Sequence, residues 1–208
     1  MPEIIPAILA ADRETLIERL RLVEGIAHCV QIDCMDGHFV PNRSFYTAEP
    51  LDTTVEIELH LMVSDPSIVI EDWKRVTQMR RAIWHIEIPA DHGRLIDRCG
   101  ELGWECGLAL SPETSADRIA PYADAIDEVL VLGVKPGFSG QTLIASTVEK
   151  AAEIKRRWPE LSCGFDGGAT RENLHEIARH GLDRINIASA IYSTQDPSQT
   201  LRDILSTI

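Results

Sequence analysis

Short apolar runs alternate along the chain with longer stretches in which apolar positions recur at helical spacing. The runs at 4–9, 29–33, 56–62, 82–87, 105–110, 128–132, 163–165 and 184–187 have the length and residue types of strands. The stretches at 13–23, 67–77, 93–99, 115–120, 144–157, 171–180 and 197–208 have the periodicity of amphipathic helices. The second strand is the exception, because the long loop after it has only weak helical pattern. Strands that alternate with helices pair in parallel through crossover connections. Eight such units predict a closed (β/α)8 TIM barrel, with a doubly wound open sheet of fewer strands as the alternative.

The corners between elements support that pattern. Asp12, with Thr15 close behind it, has the character of a helix cap, and Asp65-Pro66-Ser67 puts proline near a first turn. Ser111-Pro112-Glu113-Thr114 and Thr170-Arg171-Glu172-Asn173 look the same. Each corner follows a predicted strand, so all of them belong to the barrel face where strand C-termini gather and active sites sit.

Length and charge narrow the possibilities. The 208 residues suit one barrel domain, 1–208, at the short end of the range for this architecture. A formal net charge of -13, from 33 acidic and 20 basic residues, disfavours nucleic acid and anionic membrane surfaces as partners. An anionic ligand would therefore depend on local donors, such as backbone N–H groups at glycine loops and helix N-termini. The five cysteines are odd in number and form no C-x-x-C pair, which predicts buried thiols in a reducing, cytoplasmic setting. No basic leader or membrane-length apolar stretch is evident.

Polar residues at strand ends carry the candidate chemistry. Gln31 and Asp33 share one side of the second strand, where they either line a site or hydrogen-bond within the core. His60 near the end of the third strand is, by itself, as compatible with a structural role, and Trp84-His85-Ile86-Glu87 repeats its arrangement on the fourth. Asp166-Gly167-Gly168 closes the seventh strand and, taken alone, is ordinary turn chemistry. Together, two aspartates, a histidine and a glutamine at the ends of three strands could converge on one divalent metal ion. Val134 to Gln141, Gly167-Gly168 and Ala188-Ser189 add three small-residue turns after consecutive strands, the usual place for phosphate in such barrels.

At these residues the sequence resembles the ribulose-phosphate 3-epimerase family. The match runs through Pro6-Ala7-Ile8-Leu9-Ala10-Ala11-Asp12, Met35-Asp36-Gly37-His38-Phe39-Val40-Pro41-Asn42 and His60-Leu61-Met62-Val63. It continues through Val134 to Gln141, Asp166-Gly167-Gly168 and Ala188 to Tyr192. The resemblance implies a homo-oligomeric barrel enzyme that inverts C3 of a sugar phosphate, D-ribulose 5-phosphate to D-xylulose 5-phosphate, through an enediolate. By position, it implies that Asp33 and Asp166 are the acid/base pair and also metal ligands, with His60 a third ligand. The metal would be zinc, manganese, iron or magnesium. Ala7, Met35, Met62 and His60 match substrate-contacting positions, while Gly137, Phe138, Ser139, Gly140, Gly167, Gly168, Ala188 and Ser189 match the phosphate-holding loops.

The departures define what needs testing. Gln31 stands where the family has a metal-binding histidine, and its carbonyl oxygen is the expected weaker substitute. Ala7 and Ala10 replace serines, Ser111 replaces asparagine, and Ser139 and Ala188 replace glycines. These changes leave two alternatives open: epimerisation of another sugar phosphate, such as a ketohexose 6-phosphate, and a non-catalytic phosphosugar-binding barrel.

Overall fold

The computed structural model describes residues 1–49 and 51–208. Eight strands run in chain order: β1 (Glu3–Ile8), β2 (Cys29–Met35), β3 (Glu56–Met62), β4 (Met79–His85), β5 (Glu105–Leu110), β6 (Glu128–Leu132), β7 (Ser162–Asp166) and β8 (Arg184–Ile187). Every strand pairs in parallel with the next, and β8 pairs with β1, so the sheet closes into a barrel. Closure excludes the open-sheet alternative. The helices are α1 (Arg13–Val23), α2 (Pro66–Trp73), α3 (His92–Leu102), α4 (Ser146–Arg157), α5 (Leu174–Ala178), α6 (Ser189–Tyr192) and α7 (Pro197–Thr207). Among the described residues no helix is long and apolar enough to cross a membrane.

Alternation within each strand sorts side chains between two compartments. Outward residues such as Ile32, Leu59, Leu61, Trp84, Leu108 and Phe165 join the helices in one continuous apolar core. Inward residues include a separate small apolar cluster, Ile83, Ala109, Leu130 and Leu132. All five cysteines are buried and unpaired. Aspartates cap α1, α2, α3 and α7, each accepting a backbone N–H in the first turn; such caps contribute about 1 kcal/mol each.

Several boundaries differ from the periodicity, for identifiable reasons. The fourth strand begins at Met79 rather than residue 82 because two arginines, Arg80 and Arg81, interrupt the apolar run at its start. The stretch at 115–120 is only a 3-10 turn, Ala116–Ile119, capped by Ser115 rather than Ser111. The helix expected at 171–180 contracts to α5, because Thr170 and Asn173 fold into a reciprocal side-chain turn before it. The loop after β2 bends back over its own strand: the Ser44 hydroxyl donates to the Asp33 carbonyl at 2.6 Å, and Phe45 N–H donates to Ala10 O at 2.8 Å.

The barrel floor is ionic. Arg81, fully buried, reaches Glu58 and Glu128, each at 2.7 Å, and also pairs with Glu105. Arg184 pairs with Glu128 from β8. Burial and the neighbouring Glu128 charge push the Glu58 carboxyl up to about 7, so the arginines are what keep these acids tolerable inside the barrel. Removing one partner of such a buried group leaves an uncompensated charge. Arg81→Met is therefore expected to cost about 3–5 kcal/mol, measured as a lower urea midpoint with an unchanged slope.

Candidate active site

β2, β3 and β7 end on the same barrel face, and the register sets Asp33 level with His60. Asp33, His60 and Asp166 converge there, with their ligand atoms within 4.8 Å of one another. His60 Nδ1 lies 3.2 Å from Asp33 Oδ1 and 3.3 Å from Asp166 Oδ2. Burial opposes charge on this imidazole, but hydrogen bonds to Asp166 and Asp33 outweigh it and raise the ring to about 9. Burial also raises Asp33, helped by the charge of Asp166 and opposed by His60 and Gln31. Two carboxylates and one imidazole nitrogen facing a common point form a donor set that fits a divalent first-row ion and leaves positions open.

Gln31 lies one layer deeper and is fully buried. Its Nε2 donates to Asp33 Oδ1 and to Asp166 Oδ2, both at 2.8 Å. Its carbonyl Oε1 points away and accepts from Asn186 Nδ2 at 2.6 Å. The carbonyl expected toward the metal position is turned instead to Asn186 in this arrangement. The cause lies below: Glu58 accepts from Asn186 Nδ2 at 2.7 Å, so Asn186 turns its amino group toward both Glu58 and Gln31. Gln31 must then answer with its oxygen.

His60 Nε2 meets His85 Nε2 at 3.0 Å, and His85 Nδ1 meets Glu87 Oε2 at 3.1 Å. Glu87 Oε1 accepts from Ser111 N–H at 2.9 Å and from the Thr114 hydroxyl. Burial pushes His85 down to about 4. Burial acts to raise Glu87, but its bonds to His85, Thr114 and Ser111 hold it at about 2. The sequence signal for His85 and Glu87 is the polar position repeated on adjacent strands, which by itself does not assign them to the site.

A cavity open to solvent at its mouth rises from Asp33, His60 and Asp166. Met35, Met62 and Leu9 supply an apolar wall, and Gly137, Phe138, Ser139, Gly140, Gly167, Gly168, Ala188 and Ser189 line the other side. Gln141 knits the 134–141 loop by donating to Lys135 O and Phe138 O, both at 2.7 Å. Gly168 has φ 75°, and a Cβ there would meet Leu143 Cα at 2.7 Å, so only glycine allows the two loops to lie so close. Lys135 brings to the lining a cation that no sequence motif marks.

Ala7 is placed differently. It is buried level with Gln31, one layer below Asp33, and does not line the cavity, whereas Leu9, two residues further on, does. Ala10 packs into the apolar core, and Ser111 faces His85 and Glu87 rather than the cavity. Ala7, Ala10 and Ser111 therefore lie outside the cavity wall, whereas Ser139 and Ala188 line it.

Residues 3–192 match the Ribulose-phosphate 3 epimerase family. The chain belongs to this family. It is 32% identical to the ribulose-phosphate 3-epimerase of Bacillus subtilis (strain 168), covering 98% of each chain. With the Escherichia coli (strain K12) ribulose-phosphate 3-epimerase the identity is 30%, covering 98% of this chain and 94% of that one. Among solved structures, a mutant tryptophan synthase alpha-subunit from Pyrococcus furiosus aligns over 98% of both chains with TM-score 0.73 at 12% identity. Orotidine 5'-monophosphate decarboxylase from Sulfolobus solfataricus aligns over 100% of this chain and 98% of its own, with TM-score 0.67 at 14% identity. These distant matches speak to the barrel fold alone.

The segment Met35 to Asn42, the most specific part of the epimerase resemblance, works as a brace. Asp36 accepts from His38 N–H at 2.8 Å, Phe39 N–H at 3.0 Å, and Ser64 N–H and Oγ, both at 2.7 Å. Gly37, at φ 77°, passes so close to Arg43 that a Cβ would meet Nε at 2.6 Å. Asn42 Nδ2 donates to Gly137 O at 2.7 Å, tying the brace to the loop across the cavity. Burial acts to raise the Asp36 carboxyl, but its bonds to Ser64, His38 and Phe39 hold it well below the usual carboxylate range. A depressed folded pKa gives stability that is complete above the unfolded value of about 4 and is lost as pH falls below it. Asp36→Asn is expected to cost about 1–2 kcal/mol at neutral pH. Its denaturation midpoint should also fall less steeply than that of the wild type when the pH is taken from about 5 down to 3.

Proposed function

We propose that the protein interconverts D-ribulose 5-phosphate and D-xylulose 5-phosphate, one of Asp33 and Asp166 removing the C3 proton and the other delivering a proton to the opposite face. The observation that carries this is the pairing of the two carboxylates at the floor of one cavity, each fastened through one oxygen to the same Gln31 amide. The second oxygen of each makes no hydrogen bond among the described residues and is left for the substrate. An ionised carboxylate on one face of the sugar removes the C3 proton, leaving an enediolate. The protonated carboxyl on the other face then gives its proton to C3, inverting the centre and exchanging the protonation states of the pair. No electron is gained or lost overall.

Asp33, His60 and Asp166 would hold a divalent ion, three protein ligands with further positions open. When bound, such an ion stabilises negative charge on the enediolate oxygens. Gln31 is not one of its ligands; it positions the two carboxylates by donating to both. Met35 and Met62 exclude water beside the reacting carbon. The turns at Gly137–Gly140, Gly167-Gly168 and Ala188-Ser189, with Lys135 beside them, would receive the phosphate through backbone donors. This local arrangement answers the electrostatic problem set by a chain of net charge -13.

The test is epimerisation of D-ribulose 5-phosphate by purified protein stripped of metal and resupplied with Zn2+, Mn2+, Fe2+ or Mg2+. Turnover should appear on metal addition, with deuterium from heavy water entering C3. Asp33→Asn and Asp166→Asn should each lower kcat by about 100-fold or more. Folded protein with no turnover under any of these ions would contradict the proposal.

A further inference from the structure

We infer that Glu87 and His85 are positioning residues that fix the tautomer of His60, so that its Nδ1 presents a lone pair to the metal position. The inference rests on the proposed metal site and adds to it a hydrogen-bond chain running Glu87–His85–His60. Its direction follows from counting donors and acceptors.

The chain is anchored at Glu87. Ser111 N–H can only donate, and it donates to Glu87 Oε1, which also accepts the Thr114 hydroxyl. Glu87 Oε2 faces His85 Nδ1, and a carboxylate can only accept there. His85 Nδ1 must therefore carry hydrogen. With that hydrogen in place, a neutral His85 has a bare Nε2. Across the 3.0 Å contact, His60 Nε2 must then be the donor. With its Nε2 hydrogen committed to His85, His60 has Nδ1 left to face Asp33 and Asp166; without metal that nitrogen carries a hydrogen shared between the two carboxylates, and losing it leaves a neutral ring with the Nδ1 lone pair free for the metal. The rings stack at 5.2 Å between centroids, and Phe39 packs on His85 at 4.6 Å, which holds both imidazoles in place. Metal-binding histidines generally depend on such an outer partner for orientation and tautomer. Here the partner is a second histidine whose own tautomer is set one step further out.

Glu87→Gln reverses the chain with almost no change in shape. Ser111 N–H still requires an oxygen, so the new amino group falls opposite His85 Nδ1. That nitrogen must become the acceptor, His85 Nε2 takes the hydrogen, and His60 Nε2 becomes the acceptor. Its Nδ1 then holds the only hydrogen of the ring, which a metal cannot displace without leaving an imidazolate.

Two measurements test this. One is the Zn2+ dissociation constant from competition with a chromophoric chelator, for wild type and Glu87→Gln, together with Tm of both metal-free proteins. The other is the tautomer of His85 in metal-free wild type, read from long-range proton–nitrogen NMR of 15N-histidine-labelled protein. Expected are a 10- to 100-fold weaker Zn2+ affinity in the variant and a His85 protonated on Nδ1 in the wild type. Wild-type His85 protonated on Nε2 would overturn the inference even if the variant fails to fold. So would a folded variant with wild-type Zn2+ affinity. Wild type that binds no Zn2+ would instead overturn the metal site itself, and the inference with it.

Discussion

Two carboxylates cannot be set close together inside a barrel unless something between them donates. At separations below 5 Å their repulsion is on the order of 3 kcal/mol even in a moderately polarisable interior. Gln31 meets this constraint with one amino group shared between Asp33 and Asp166. The rest of the site depends on which way that amide points. Its direction is inherited from below, through Asn186 to Glu58, and Glu58 is held in turn by Arg81 at the barrel floor. The ionic floor is thus more than a stability device, because it sets the polarity of hydrogen bonds two layers above.

The same logic operates from the side. Glu87 accepts from three neighbours and orders His85, which orders His60. The three candidate metal ligands are therefore approached by two independent hydrogen-bond chains, one reaching the carboxylates through Gln31 and one reaching the imidazole through His85. Above them the cavity is divided between an apolar wall at Met35 and Met62 and glycine-bearing turns on the opposite side. This division suits a ligand with a carbon skeleton at one end and an anion at the other.

Much of this was legible in the sequence. Strand and helix alternation gave the barrel, and the polar ends of the second, third and seventh strands picked out Asp33, His60 and Asp166. What pattern missed was buried polarity. Arg81 interrupts the apolar run of the fourth strand because it serves the floor, so periodicity began that strand three residues late. The orientation of Gln31 was equally hidden, since an amide offers a donor and an acceptor and only Asn186 and Glu58 decide between them. The resemblance implies that Ala7 contacts substrate, yet it lies a layer below the cavity. The Met35–Asn42 string was recognisable as a motif, but its purpose as a brace emerges only when Asp36, Ser64, Asn42 and Gly137 are seen together.

The most direct test is a crystal structure of the Mn2+-loaded protein at a resolution that places the ion by anomalous scattering. The expected result is one ion bound by Asp33, His60 Nδ1 and Asp166, with the Gln31 amino group still on both carboxylates and its carbonyl on Asn186. An ion coordinated by the Gln31 carbonyl, or one bound elsewhere while these three residues keep only each other, would contradict the arrangement on which the site is built.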